Sequence, residues 1–323
     1  MIEFRSLHPD EIQAWIDQIT LVFSNENNRE WVRSMFTNSW NDDPEPDLQG
    51  ICVAVQDGRI VSSVQVLKRR IYLCGVEMPM GGISAVSTLP EARRQGLSTR
   101  LLEDSIRVME AWGQPVSMLQ TGIHGFYSRL GWEQVSLFSK NLRLDDHVPE
   151  APVSYYLRSM DFTNDLQQVK SLYAAYSSRY NGPVVRGHST WEKYKRNPPD
   201  RWWVAEYSGR VAAFLCIDVE DDQVSVAEFG AFPYHEGVFD ALLAYGLEAL
   251  NRQIETIPCP GAIASQRQVV EWQEHTHWMV RLNRPLKVAG RRVESSQELA
   301  TLMVGSPERG KPGDFLFWGN DGF

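Results

Sequence analysis

Cysteine is scarce in this chain: four residues in 323, at positions 52, 74, 216 and 259, with no pair at CxxC spacing. That spacing argues against zinc binding, a disulfide framework and thiol catalysis. Three of the four lie in apolar strand-like runs, as buried free thiols of a reducing compartment do. Basic runs are lacking as well. Thirty-two Lys and Arg stand against 41 Asp and Glu, and the acids are scattered, giving a net charge of −9. Phosphate backbones require clustered Lys and Arg, so nucleic acid is not expected as a partner. The negative balance serves solubility and is compatible with an amine-bearing substrate. No uncharged apolar stretch is long enough to span a bilayer, so no membrane association is expected. The start, MIEFRSLHPDEIQAW, has no basic stretch followed by an apolar run. No signal peptide is therefore expected, and the expected compartment is the cytoplasm.

Apolar residues make up 43% and charged residues 23%, in a length sufficient for two folded units. EFRSL reads as a strand, and Ile12, Trp15, Ile16, Ile19 and Phe23 then recur at helical spacing. A short helix over NREWVRSMF follows. ICVAVQ and RIVSSVQVLKRRIYL are strand runs around the turn Asp57-Gly58, and Gly81-Gly82 reads as a break before the strand ISAVST. After Pro90, a turn at Arg93–Gly96 opens a helix whose Leu97, Leu101, Ser105, Val108 and Trp112 share one face. VSMLQT reads as a strand, GFYSRL as a short helix and WEQVSLFSKNLRL as a closing strand. The order predicts an α/β (α+β) unit with a central mixed sheet flanked by helices. A polar stretch at 145–150 marks a boundary. Beyond it, helix, hairpin, strand and helix recur, which points to a duplicated unit over 147–285 after the first at 1–146. From Arg284 the pattern reads as irregular, leaving 286–323 as a short C-terminal segment.

The turn Arg93-Arg94-Gln95-Gly96-Leu97-Ser98 carries the chemistry. Backbone N–H groups and the helix dipole at a helix start favour an anion, and a pyrophosphate fits there. Gly96 permits close approach of the backbone, and an Arg adds a charge-assisted contact.

VSTLPEARRQGLSTRLL resembles motif A of the GNAT acetyltransferases, with Arg93 and Gly96 matching and Ser98 in place of the last small residue. LQTGIHGFYSRLGW resembles the Eis-type (enhanced intracellular survival) acetyltransferases, as do RYNGPVVRGHSTWEKY and HWMVRLNRP in the second half. The resemblance implies tandem GNAT-like domains and acetyl-CoA as cosubstrate. Backbone at Ala85, Val86 and Ser87 would pair with the pantetheine arm. The Val86 N–H would polarise the thioester, while Arg93, Arg94, Gly96, Leu97 and Ser98 would hold the pyrophosphate and Arg129 would approach the cofactor. Tyr127 matches the general acid that protonates the departing thiolate. A phenol with an ordinary pKa of about 10 keeps its proton where a thiol of about 8.5 loses one. The chain ends in FLFWGNDGF, and Phe323 matches a terminal Phe whose carboxylate is the family's general base. Glu26 and His124 are other candidate bases. Trp31 and Phe36, with Glu26, fall on the expected acceptor side, although aromatics at helical spacing are also ordinary core. His275 and His277 share a strand face without a third ligand nearby in sequence, so no metal is expected.

Three departures stand against this pattern. Gly122 and Ile123 occupy positions where the family carries Ser and Glu. The second unit has Phe232-Pro233-Tyr234-His235-Glu236-Gly237 where the first has its basic turn, which marks it as a degenerate copy. The segment after Arg284 is short for the sterol-carrier-like domain that ends Eis proteins. Three functions remain: N-acetyl transfer to a small-molecule amine or a lysine, a CoA-binding pseudoenzyme or ligand sensor, and a scaffold. The resemblance also implies a homo-oligomer.

Overall fold

The computed structural model describes residues 1–144, 154–196, 201–220, 223–305 and 313–321. Strand β1 (Ile2–Ser6) leads to helices α1 (Ile12–Phe23) and α2 (Arg29–Asn41), then to β2 (Ile51–Gln56), β3 (Arg59–Leu73) and β4 (Val76–Thr88). Helix α3 (Leu97–Ala111), β5 (Val116–Gln120), α4 (His124–Ser128) and β6 (Glu133–Arg143) follow. Next come β7 (Tyr155–Ser159), α5 (Leu166–Ser177), α6 (His188–Arg196), β8 (Trp202–Tyr207), β9 (Arg210–Glu220), β10 (Gln223–Ala231) and α7 (Phe239–Ala249). The chain then forms β11 (Thr256–Pro260), β12 (Val269–Leu282), β13 (Leu286–Val288), β14 (Arg291–Val293) and α8 (Ser296–Val304). No helix among the described residues is long and apolar enough to cross a membrane.

Eight strands form one mixed sheet in the order β1-β2-β3-β4-β5-β12-β6-β11, with β4 parallel to β5. Four more form an antiparallel sheet, β10-β9-β8-β7, packed against α5 and α7. The architecture is the expected one, two sheets flanked by helices. Strands 256–260 and 269–282, expected within the second unit, are hydrogen-bonded into the large sheet instead: β12 lies between β5 and β6, and β11 is the edge beyond β6. Ladder hydrogen bonds carry no memory of chain order, so tertiary pairing placed β12 inside the sheet and β11 at its edge. The boundary expected at 146/147 lies outside the described residues.

The hairpin between β3 and β4 turns at Cys74-Gly75, where φ is 50° and 79°. Two consecutive positive φ values are the signature of the turn type that suits a two-residue hairpin. Gly81 and Gly82 do not break the run as their residue type predicts; β4 continues through both. A Cβ on Gly81 would stand 2.7 Å from Met109 Cγ and 2.8 Å from Gln114 Oε1, so the glycine lets α3 lie close on the sheet. On α3, Leu97, Leu101, Leu102, Ser105, Ile106 and Met109 are buried against Val64, Val66, Ile83 and Leu119. Burying each Leu or Ile there contributes about 1.5–3 kcal/mol.

The pairing of β4 with β5 is short. It covers Met80–Gly82 against Val116–Met118, after which the strands part. A bulge accompanies the divergence. The β3–β4 register shifts between Ser63↔Ser87 and Gln65↔Ser84, setting Ala85 and Val86 against one residue, and Ala85 takes φ 50°. Bulges bend a strand and raise its local twist, which turns the end of β4 away from β5. A wedge opens between the two strands, and α3 starts at its mouth.

The C-terminal segment is more ordered than its sequence suggests. β13 and β14 pair as a hairpin, and Leu299, Ala300 and Met303 of α8 are buried with Trp278 and Val280 of β12. Phe315 packs edge-on to Trp278 and Phe317 at a tilt, at 6.1 and 4.2 Å between ring centroids.

Candidate active site

The turn after β4 folds as the sequence predicts, in two steps. A one-turn 3-10 helix over Pro90–Ala92 comes first, then Arg94 (φ 63°) and Gly96 (φ 74°) take left-handed backbone. Helix α3 begins at Leu97, and its first intrahelical bond closes from Arg100 N–H to Gly96 C=O at 3.1 Å. The N–H groups of Leu97, Ser98 and Thr99 precede that bond, so they have no carbonyl within the helix. They form a site of partial positive charge, with Arg93 and Arg94 exposed beside it. Arg93 Nε donates to Thr88 C=O at 3.2 Å, and the Ser98 hydroxyl lies 2.7 Å from that of Thr88, so turn and strand end are joined.

Behind the strand end is a buried polar network. Ser62 Oγ donates to Ser87 C=O at 2.7 Å, and Gln18 of α1 bridges Ser63 (2.9 Å) and Ser87 (3.1 Å). Each such bond nets only about 0.5–1.5 kcal/mol, but an unmet buried partner costs more, so the network fixes α1 against the bulged end of β4.

A cleft of about 400 Å³ runs from this turn past the strand end to α4. It is lined by Val86, Ser87, Arg93, Arg94, Gly96, Leu97, Ser98 and Tyr127, eight residues that the sequence reading assigns to the site. The structure adds Val22, Thr88, Thr99, Ile123 and Phe126, which that reading does not assign. Thr88 and Thr99 lie within the quoted motif, and Ile123 and Phe126 within the segment that ends at Trp132; nothing local marks Val22. Ala85 is buried at the bulge, and Arg129 is exposed at the end of α4; neither lines the cleft.

Tyr127 is buried, edge-on to Phe126 (4.9 Å) and Trp132 (6.1 Å). Burial pushes its pKa up to about 12, so the phenol holds its proton at neutral pH. No described side chain takes its hydrogen bond, which leaves the hydroxyl for a ligand in the cleft.

Other assigned residues lie apart. Glu26 is exposed between α1 and α2, Trp31 is 67% exposed on α2, and Phe36 packs half-buried against Phe23 at 5.6 Å. None of the three lines the cleft. His124 is tied by Nε2 to Thr276 C=O at 2.7 Å, which fixes its ring against β12, and it does not line the cleft. The His275 and His277 rings are 5.8 Å apart; burial, then His275 and His124, lowers the pKa of His277. Among the described residues no group of three His, Cys, Asp or Glu could hold a metal. Phe323 lies outside the described residues; Asp321 is buried against Arg186 and Tyr173.

A strand end splayed by a bulge, an open helix start and a buried phenol sharing one cleft agree with what the sequence itself matches. Residues 3–135 match the family described as acetyltransferase (GNAT) domain. That match covers the segment from β1 to the start of β6, which holds the turn, the strand end and Tyr127. Solved structures share the fold of nearly the whole chain. A conserved protein of unknown function from Enterococcus faecalis, described as a probable N-acyltransferase, aligns with TM-score 0.68 at 15% identity, covering 87% of this chain and 73% of that one. A GCN5-related N-acetyltransferase from Kribbella flavida gives 0.67 at 17%, covering 87% and 71%. Eis1 from Mycobacterium abscessus gives 0.61 at 14%, covering 88% and 74%. At such identities the likeness is one of fold. No curated protein matches the sequence.

Proposed function

We propose that this chain is an acetyl-CoA-dependent N-acetyltransferase, Eis-like in organisation, that moves the acetyl group directly to an amine of a small molecule or to a lysine. The observation that carries the reading is the single cleft that joins the start of α3 to the Tyr127 hydroxyl across the bulged end of β4. We take 1–146 as the catalytic unit, to whose sheet 256–260 and 269–282 add strands, 147–285 as a degenerate copy and 286–323 as a short C-terminal segment. The cytoplasm and a homo-oligomer complete the reading.

The residues present fit the cosubstrate. The N–H groups of Leu97–Thr99, with Arg93 and Arg94, suit a pyrophosphate, and a Cβ-free Gly96 has open space before it. Past the divergence β4 has no β5 partner, so Val86–Thr88 can pair with an extended pantetheine arm. The Val86 N–H polarises the thioester carbonyl. The amine nitrogen forms its bond to the carbonyl carbon as the C–S bond breaks. The attacking amine gives up one proton to a base or to solvent, and Tyr127, as the acid, donates its hydrogen bond to the departing sulfur, whose protonation solvent completes.

Titration calorimetry with acetyl-CoA tests the reading. Arg93→Ala/Arg94→Ala should weaken binding at least about tenfold, since a charge-assisted contact is worth about 1.5–3 kcal/mol before solvent screening. No binding by folded wild-type protein would remove the acetyltransferase reading and leave a scaffold. One observation favours a CoA-binding pseudoenzyme instead: Ile123, 63% exposed, lines the cleft where Eis proteins carry an acid. Amine acetylation assayed beside acetyl-CoA binding separates the two. An enzyme releases CoA and an acetylated amine at the concentrations where acetyl-CoA binds, and a sensor binds acetyl-CoA without turnover.

A further inference from the structure

We propose that the cleft admits only short acyl groups, and that Trp132, Leu119 and Ile83 set the limit. The inference rests on the acyl-CoA reading above. With the pyrophosphate at the start of α3 and the pantetheine along Val86–Thr88, the thioester end of the cosubstrate points into the wedge where β4 and β5 part. A longer acyl chain continuing in that direction meets the first residue of each strand past the last pair, Gly82↔Met118. Those residues are Ile83 and Leu119, 4% and 1% exposed, and they pack in one cluster with Tyr127, Trp132 and Met279. The apex of the wedge is therefore filled on the α3 side.

Trp132 closes it from behind. Its indole is fully buried and stands edge-on to the Tyr127 ring. Its Nε1 donates to Ser117 Oγ at 3.3 Å, inside β5, and the Arg281 guanidinium lies 5.5 Å from its ring centroid. Arg281 is itself held by a bond from Nε to Leu130 C=O at 2.9 Å. The indole is thus bound at an edge and a face and has no room to swing. Interiors at this density do not yield to an inserted chain without displacing side chains. An acetyl group needs only the space beside Val86 and the Tyr127 hydroxyl.

Calorimetric titration of the full chain with CoA, acetyl-CoA and octanoyl-CoA tests the limit, for wild type, Trp132→Leu, Leu119→Ala and Ile83→Ala. CoA and acetyl-CoA should bind wild type with similar affinity, and octanoyl-CoA at least tenfold more weakly. The smaller truncations at Leu119 and Ile83 keep the test open if Trp132→Leu does not fold, as circular dichroism will report. At least one folded variant should narrow the octanoyl-to-acetyl gap threefold or more with acetyl-CoA unchanged. Octanoyl-CoA binding wild type as tightly as acetyl-CoA would overturn the proposal, its chain then lying along Val22, Ile123 and Phe126 toward solvent. A gap unchanged in every folded variant would also overturn it. Failure of all three ligands to bind overturns the acyl-CoA reading itself, an outcome distinct from equal binding by all three.

Discussion

Replacing Tyr127 by Phe is expected to lower amine acetylation about 10²–10³-fold while acetyl-CoA affinity stays within about twofold. The substitution keeps the ring, and with it the edge-on contacts to Phe126 and Trp132, and removes only the hydroxyl of a residue that lines the cleft. The pKa of about 12 sets the size of the effect. Full transfer of that proton to a free thiolate, whose acid has a pKa of about 8.5, would be uphill by roughly 5 kcal/mol. The phenol therefore cannot discharge to a waiting thiolate. It stabilises the sulfur as charge builds on it, and solvent completes the protonation. That places the expected loss below the upper end of general-acid effects, about 10⁴-fold. It also predicts no alkaline loss of wild-type activity from this group below about pH 11. Steady-state kinetics with an amine from a library screen, beside calorimetry, measure both quantities. Full activity in the Phe variant would take the general acid away from Tyr127.

Much of this site is legible in the sequence because it is local. Pro90, Gly96 and the apolar spacing of α3 each act within one turn of chain, so strand, turn and helix are placed without the rest of the fold. The bulge is different. Ala85 carries no signal for φ 50°, and ISAVST alternates as a plain strand does; the register against β3 decides where it gives way. Gly81 reads as a breaker because its reason, the approach of Met109, comes from α3. Gln18 looks like an interruption of the apolar face of α1, and it is buried because Ser63 and Ser87 meet it there.

The same division holds in the second half. Helix, hairpin and strand are found where expected, since each is set by its own period. The partner of β12 is not, because an exposed-edge pattern such as VVEWQEHTHW fits more than one neighbour. Helix α8 had a readable start: the Ser295 hydroxyl accepts from Glu298 N–H at 3.1 Å, the Ser-x-x-Glu of a capping box. Arg186 had none. A lone Arg among Val185 and Gly187 suggests surface, yet its partners lie 42 and 135 residues away.

That arginine should be the costliest single residue to lose. Its guanidinium is wholly buried, bidentate to Glu228 on β10 at 2.9 and 2.7 Å, and bonded through Nε to Asp321 at 2.6 Å. Arg186→Met leaves two buried carboxylates without their cation, and removing one member of a buried ion network costs about 3–5 kcal/mol. The pH dependence has a definite sign. Burial already raises the pKa of Glu228 above its ordinary value, with Arg186 opposing the rise. Without Arg186 the folded-state pKa rises further, so the folded form binds protons that the unfolded chain has released. Stability of the variant then falls as pH rises above about 4.5, where an unfolded Glu ionises, and recovers on acidification. Urea unfolding at pH 5 and pH 7.5 should show a larger deficit at the higher pH, with an unchanged denaturant slope. Arg186→Met/Glu228→Leu/Asp321→Leu removes every charge together and should regain most of the loss, because a buried ionic cluster is expensive when broken and close to neutral when replaced whole by apolar groups. A single variant as stable as wild type at both pH values would mean that Glu228 and Asp321 find other partners, and that the last described turn of the chain is held by Trp318 on Tyr176 and Ser177 instead.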